Sequence, residues 1–382
     1  MTNNPHLPII IPKILANPIY HRFLNIVKVY EICEIYDCHA HISSGRGDII
    51  NDTSPKLMPQ FPFTVLDVNH LYDELFRSED IEFTSVIFDT PLTIYNMDKK
   101  NDQFLKELDR LPPEESNKVV PFAVVTPDMR AQQIQKYVEL GARGFKMTPR
   151  TSSPYIKRGV ISDITLADML NPDALRVANS KELPLVVHLP QLVVSRRIKD
   201  SLKEELLLIA DEYPYLKIVL AHLGQSQTPA KIMDLLRWID NNDLSENIWM
   251  DISAVTVPSV LEIALSSNIK TVFGTDIDFS LTEQGKYIMF KYSNGHRVMA
   301  DEEDMGNDVA TTLVSTNFGE KFKPFAAKRG IDLNAPLFLF QLEGIIKAIE
   351  GLQKTGRPKA EIKSILENLF FRNAKALLKD CD

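Results

Sequence analysis

The chain has 382 residues, 44% hydrophobic and 25% charged, the composition of a globular protein. Its 43 Lys and Arg against 51 Asp and Glu give a formal charge of −8, which argues against a nucleic-acid surface and against a polybasic contact with a membrane. No apolar run approaches the about 20 residues of a membrane span, and three scattered cysteines, Cys33, Cys38 and Cys381, suggest no disulfide framework, so the expectation is a cytoplasmic protein with free thiols.

Residues 1–30 read as an N-terminal extension, an irregular lead followed by a short helix from Tyr20 to Tyr30. The apolar stretch Pro8-Ile9-Ile10-Ile11-Pro12 is short and broken by prolines. It lacks a basic start and a small-residue cleavage site, so it does not read as a signal peptide. The first strand is expected at about 32–39. A flexible loop then runs from Ser43-Ser44-Gly45-Arg46-Gly47-Asp48 to about Pro62.

A rhythm follows. Helical sequence near 68–77 precedes the apolar strand 83–88, and a helix at 101–110 precedes 119–125. A helix at 131–140 stops at Gly141, a C-cap, before Gly144-Phe145-Lys146-Met147. Helices near 163–180, at 199–212, at 229–241 and at 257–266 precede strands at 183–189, 217–222, 248–253 and 270–276. Short, β-branched, nearly continuous apolar strands are those a parallel sheet buries on both faces.

Eight strands alternating with helices between Ile35 and Asp276 predict an α/β fold, a (β/α)8 TIM barrel spanning 31–382 as a single domain. An open doubly wound sheet competes less well, because no glycine-rich phosphate fingerprint follows any strand. Residues 277–335 break the pattern and read as a long insertion after strand eight, containing Asp301-Glu302-Glu303-Asp304. It is a lid or dimerisation arm on one reading and a solvated surface excursion on the other. Helices at 336–350 and 359–379 close the chain.

The polar residues at the strands' C-terminal ends form a set. His39 and His41 share a face of the first strand because side chains alternate with period two, which turns Cys38 away. Lys146 ends the fourth strand, facing the interior between Phe145 and Met147, while His188, His222 and Asp276 end the fifth, sixth and eighth. A lone His ending an apolar strand is more often a satisfied core residue than a ligand. Four of the chain's eight histidines at three strand ends, with an aspartate at another, point instead to a metal site at the face where barrel active sites lie.

Asp37-x-His39-x-His41, Gly141-Ala142-Arg143-Gly144-Phe145-Lys146, Val187-His188, Ala221-His222-Leu223-Gly224 and Gly274-Thr275-Asp276 resemble the amidohydrolase superfamily. More narrowly they resemble its branch containing aminocarboxymuconate-semialdehyde decarboxylase. Glu367-Asn368-Leu369-Phe370-Phe371-Arg372-Asn373-Ala374 is similar to that branch's closing helix.

The resemblance implies that His39, His41, His188 and Asp276 hold a divalent metal, zinc before Mn, Fe or Co, and one ion rather than two. It makes His222 either a further ligand or a hydrogen-bond partner of the water. Imidazole and carboxylate ligands with an open position describe a catalytic site, where the ion lowers the pKa of a water towards about 7. Asp276 is suited to take and pass on a proton, and His222 to polarise a carbonyl. Lys146 keeps three readings: a carboxylated bridge between two metals, a contact to a substrate carboxylate, or an ion pair with Asp276 or a neighbour. Arg150, just beyond strand four, is a candidate contact for an anionic substrate.

The expected function is a metal-dependent hydrolase acting on an amide, ester or lactone of a small organic acid. One alternative is a non-oxidative decarboxylase acting on an unsaturated or aromatic acid. A second is a catalytically silent binding or scaffold barrel. The expected partners are a small, anionic molecule and, in some form, a second copy of the chain, with no nucleic acid and no membrane.

Overall fold

The structure is a computed structural model that describes residues 4–43, 62–77, 79–91, 96–158, 164–190, 198–282, 285–293, 296–299, 309–315, 324, 327, 331–332 and 334–379. Most of the expected loop after strand one, the acidic run at 301–304 and Cys381 lie outside them.

Nine short parallel strands carry the architecture. β1 (Glu34–Ile42), β2 (Glu82–Asp89) and β3 (Val119–Pro121) pair in that order. β4 (Ala123–Val124), β5 (Phe145–Met147), β6 (Pro184–Val187), β7 (Lys217–Leu220), β8 (Ile248–Asp251) and β9 (Thr271–Val272) pair in sequence in a second sheet. The expected third strand is shared between the two: the Phe122 N–H donates to Ile87 O at 2.9 Å, and the next N–H, of Ala123, to Gly144 O at 3.0 Å. At the opposite edges the Cys38 N–H donates to Phe273 O, and the Asp276 N–H to His39 O, each at 2.8 Å. Ala40 and Ile277 form a parallel bridge there. The strands are buried on both faces, as their unbroken apolar character dictates.

The connecting helices start where side chains can cap them. Thr64 and Asp67 form a reciprocal capping box for Val65–Phe76, and Asn171 accepts from the Asp173 and Ala174 N–H groups to begin Pro172–Lys181. Gly141, φ +99°, follows the helix Ala131–Glu139 in the left-handed conformation expected of a C-cap.

The N-terminal lead is not irregular: it forms a helix, Leu7–Leu15, ahead of a second one, Pro18–Val29. Pro8 falls in the first turn, where its missing N–H costs nothing. Pro12 lies inside the helix, whose spacing of Leu7, Ile11 and Ile14 buries one apolar face against the helix Val65–Phe76. Prolines therefore mislead here because tertiary burial outweighs their local penalty.

The insertion contains an antiparallel sheet in the order β11 (His296–Met299), β10 (Gly285–Ser293), β12 (Ala310–Ser315). Met289 and Val309 join the main hydrophobic core, so at those points the insertion is packed rather than solvated. The helix Leu337–Lys354 packs on Pro258–Leu265 and on Pro18–Val29. Its buried Gln341 Nε2 donates to Ile252 O at 3.0 Å and to Gly274 O at 2.6 Å, tying together the segments that follow β8 and β9. No helix among the described residues is long and apolar enough to cross a membrane.

Candidate metal centre

β1 is pinned before it delivers its histidines. Buried Asp37 accepts the N–H groups of His39 (3.0 Å) and Thr275 (2.9 Å) on Oδ1, and the hydroxyls of Tyr72 (2.6 Å) and Thr275 (2.5 Å) on Oδ2. Burial raises the Asp37 pKa, and these bonds oppose the rise. The register of β1 against β2 shifts between Asp37 and Ala40, where β1 carries one more residue than its partner. Gly274 completes the fit: a Cβ there would meet His39 Cβ at 2.8 Å, so only glycine lets the segment after β9 pass so close.

His39, His41 and Asp276 converge, with one ligand atom from each lying within 4.8 Å of the others. Asp276 Oδ1 stands 3.2 Å from His41 Nε2 and 3.6 Å from His39 Nε2. Asp276 has a left-handed φ of 58°. Burial would raise its carboxyl pKa, but the His41 hydrogen bond and the neighbouring imidazoles outweigh burial and hold it below the usual carboxylate range. Desolvation and the charge of Lys146 push His39 down to about 3, leaving it neutral at physiological pH. His41 Nδ1 is buried and has no hydrogen-bond partner among the described residues.

His222 and His188 stand next to this group rather than within it. The His222 ring lies 5.1 Å, centroid to centroid, from both the His39 and His188 rings. His222, Leu223, Gly224 and Gln225 all have positive φ, a left-handed turn that costs roughly 1–2 kcal/mol at each non-glycine residue. The turn aims the His222 N–H at Asp251 Oδ1, 3.0 Å away, and brings Gln225 Nε2 within 3.2 Å of His188 Nε2. Desolvation, then the charges of His222, Lys146 and Arg150, lower the His188 pKa well below the usual imidazole value.

Asp251 and Ser253, which the strand-end reading passed over, sit behind the histidines. Asp251 Oδ2 is 2.8 Å from His39 Nδ1, while its Oδ1 accepts the Ser253 N–H at 3.0 Å and the Ser253 hydroxyl. Burial would raise the Asp251 carboxyl; His39, His222 and Lys146 outweigh it and keep the group ionised. Asp251 closes β8, but in the sequence the apolar run continues past it through Ile252, so it does not stand out as a strand end. Nothing in the sequence marks Gln225 or Tyr72.

Lys146 is buried, with Nζ 3.2 Å from His39 Nε2 and 4.9 Å from the Phe88 ring centroid. Desolvation lowers its pKa to about 8 against the opposing charges of Asp251 and Asp276, and half-buried Arg150 adds to the lowering. The Phe88 ring also packs edge-on against His39 and His41. The expected residues thus fall into a tight trio, two adjacent imidazoles and two cationic side chains.

The donor set fits a divalent ion. A carboxylate on Nδ1 leaves the His39 Nε2 lone pair facing Asp276, the arrangement in which a second carboxylate orients a metal-binding imidazole.

The family model described as amidohydrolase matches residues 36–280. Among solved structures, a probable 2-pyrone-4,6-dicarboxylic acid hydrolase from Acinetobacter baumannii is 15% identical, with 90% of this chain and 99% of that one covered at a TM-score of 0.48. The 5-carboxyvanillate decarboxylase of Sphingomonas paucimobilis is 9% identical, with 91% and 99% covered and a TM-score of 0.47. Dihydroorotase from Campylobacter jejuni is 13% identical, with 91% and 84% covered and a TM-score of 0.45. No curated protein matches the sequence.

Proposed function

The chain belongs to the amidohydrolase family of metal-dependent enzymes, and from that premise we propose that it hydrolyses an amide, ester or lactone of a small anionic organic acid. The observation that carries the reading is the convergence of His39, His41 and Asp276 within 4.8 Å. In this reading the scaffold is a (β/α)8 barrel, supported by the backbone bonds that join the two parallel sheets at both pairs of edges.

His39 Nε2, His41 Nε2 and Asp276 Oδ1 hold one ion, zinc in preference to Mn, Fe or Co, with His188 and His222 completing its surroundings. The ion supplies a Lewis acid that makes water a competent nucleophile at neutral pH. Asp276, ionised, takes the proton of the attacking water on its carboxylate and returns it to the leaving group. Lys146 Nζ and the Arg150 guanidinium bind the substrate's carboxylate, an assignment that favours the substrate-contact reading of Lys146 over the carboxylated bridge. The Phe88 ring covers one side of the two strand-one imidazoles and keeps water from that side. A cytoplasmic setting, where cysteines stay reduced, fits Cys33, which among the described residues forms no disulfide.

The test is a panel of lactones, esters and amides of small carboxylic acids, given to protein reconstituted with zinc. Stoichiometric release of acid, with net addition of water, supports hydrolysis. Release of CO2 from a carboxylic acid without net addition of water overturns hydrolysis in favour of decarboxylation. Inactivity of the zinc-loaded protein towards that panel and towards a set of unsaturated and aromatic carboxylic acids favours a binding or scaffold role.

A further inference from the structure

Asp251 and Ser253, the two buried side chains behind the histidines, touch both His39 and His222. We propose that Asp251 and Ser253 are positioning residues that hold His39 and His222 in the same tautomer, Nδ1–H, so that both turn their Nε2 lone pairs to the metal centre. The inference rests on the proposed function only for what those lone pairs meet.

The protons follow from which atoms can accept and which can donate. His222 Nδ1 lies 2.9 Å from the Ser253 carbonyl oxygen, which only accepts, so Nδ1 carries the hydrogen. His39 Nδ1 lies 2.8 Å from Asp251 Oδ2 and 3.2 Å from the Ser253 hydroxyl oxygen, whose own proton goes to Asp251 Oδ1, so here too Nδ1 is the donor. The Ser253 hydroxyl gives its proton to Asp251 Oδ1 and keeps only lone pairs for its imidazole neighbours, His222 Nδ1 at 2.8 Å and His39 Nδ1 at 3.2 Å. Each of these contacts asks for the same tautomer. The carboxylate cannot rotate away, because Oδ1 also accepts the His222 and Ser253 N–H groups at 3.0 Å each. Asp251 and Ser253 are fully buried and His39 is 1% exposed, so water does not compete.

A choice left open by the sequence is thereby narrowed. His222 in the Nδ1–H tautomer has no proton on Nε2 to offer, so it serves the centre as an acceptor or ligand. Asp251 sets the His39 imidazole directly and the His222 imidazole through Ser253, which links the first strand to the turn after β7.

The test reads protons directly. In metal-free protein labelled with 15N at histidine, long-range 1H–15N correlation at pH 8 is expected to show the Nδ1–H pattern at His39 and His222. Asp251→Asn puts an amide donor against His39 Nδ1. It is expected to switch His39 to Nε2–H and to weaken zinc binding, followed by competition with a chromophoric chelator, by about 10–100-fold. Ser253→Ala is expected to leave His39 as Nδ1–H and to weaken zinc binding by less than that. An Nε2–H tautomer at either histidine in the wild type overturns the proposal. So does a folded Asp251→Asn protein with unchanged tautomers and zinc affinity. Should Asp251→Asn not fold, the wild-type spectrum and Ser253→Ala decide. A wild type that shows both Nδ1–H patterns but binds no zinc would sink the proposed function and leave this inference standing.

Discussion

His41 Nε2 lies 3.2 Å from Asp276 Oδ1, and His39 Nε2 lies 3.6 Å from that same oxygen. With its Nδ1 beside Asp251, His39 Nε2 faces both the Asp276 carboxylate and the Lys146 Nζ, 3.2 Å away, an arrangement that a cation held between the imidazoles and Asp276 also makes favourable. In the proposed function Asp276 both helps to hold the ion and handles the proton. Asp276→Asn keeps the shape and removes the charge. The expected result is a folded protein whose kcat, on any substrate the wild type turns over, falls by about 10²–10⁴-fold. Steady-state kinetics with circular dichroism as the folding control checks this, and a loss below tenfold counts against the role.

Gly274 is the point where the segment after β9 crosses His39 most closely. Adding a Cβ there forces it to 2.8 Å from His39 Cβ and 3.3 Å from Ser253 Cβ. Gly274→Ala is expected to cost about 1–3 kcal/mol of stability through overpacking and to displace a metal-binding imidazole. Denaturant unfolding reads the first effect and zinc titration the second. A variant matching the wild type in both would show that the strand ends are looser than these distances imply.

Asp89, at the end of β2, is buried, its Oδ1 has no hydrogen-bond partner among the described residues, and burial raises its carboxyl pKa to about 7, with Lys100 opposing. A carboxyl with a higher pKa in the folded than in the unfolded state stabilises the fold fully below the unfolded value, near 4. That stability is lost as pH rises through the folded value. Wild-type stability is thus expected to fall between about pH 4 and pH 7 by an amount on the order of 2–4 kcal/mol from this group. Asp89→Asn should flatten that slope and leave the variant more stable than the wild type at pH 8. Urea midpoints at pH 4, 6 and 8 decide it, and parallel pH profiles for the two proteins would contradict it.

Lys146 is assigned to the substrate's carboxylate. Lys146→Met is expected to raise KM for anionic substrates at least tenfold and to leave the metal content unchanged. Kinetics paired with elemental analysis separates the readings: a fall from two ions per chain to one would mark the lysine as a carboxylated bridge instead.

Much of this site could be read from the chain because its physics is periodic. Strand alternation placed His39 and His41 on one face, and apolar runs ending in His188, His222 and Asp276 identified the strand ends. Asp251 was missed because the apolar run continues past it through Ile252, so it does not stand out as the end of its strand in the way Asp276 does. The turn His222 to Gln225 left no signature, since three of its four residues adopt a left-handed backbone without being glycine. The helix Leu7–Leu15 was hidden by Pro8 and Pro12, whose penalty is local while the burial of Leu7, Ile11 and Ile14 is tertiary. The β10–β12 sheet was missed although one of its pairings is local, Ser293 opposite His296 on either side of Asn294-Gly295, a dipeptide that marks hairpins in a sequence; only the pairing of β10 with β12, Gly285 opposite Ser315, joins residues far apart.

The most direct test of the account is the number of divalent ions per chain, determined by elemental analysis of the zinc-reconstituted, desalted protein and of its His41→Ala variant. The account predicts about one ion in the wild type and far less than one in the variant, with both proteins folded. A wild type that retains none, or a variant that retains as much, would contradict it.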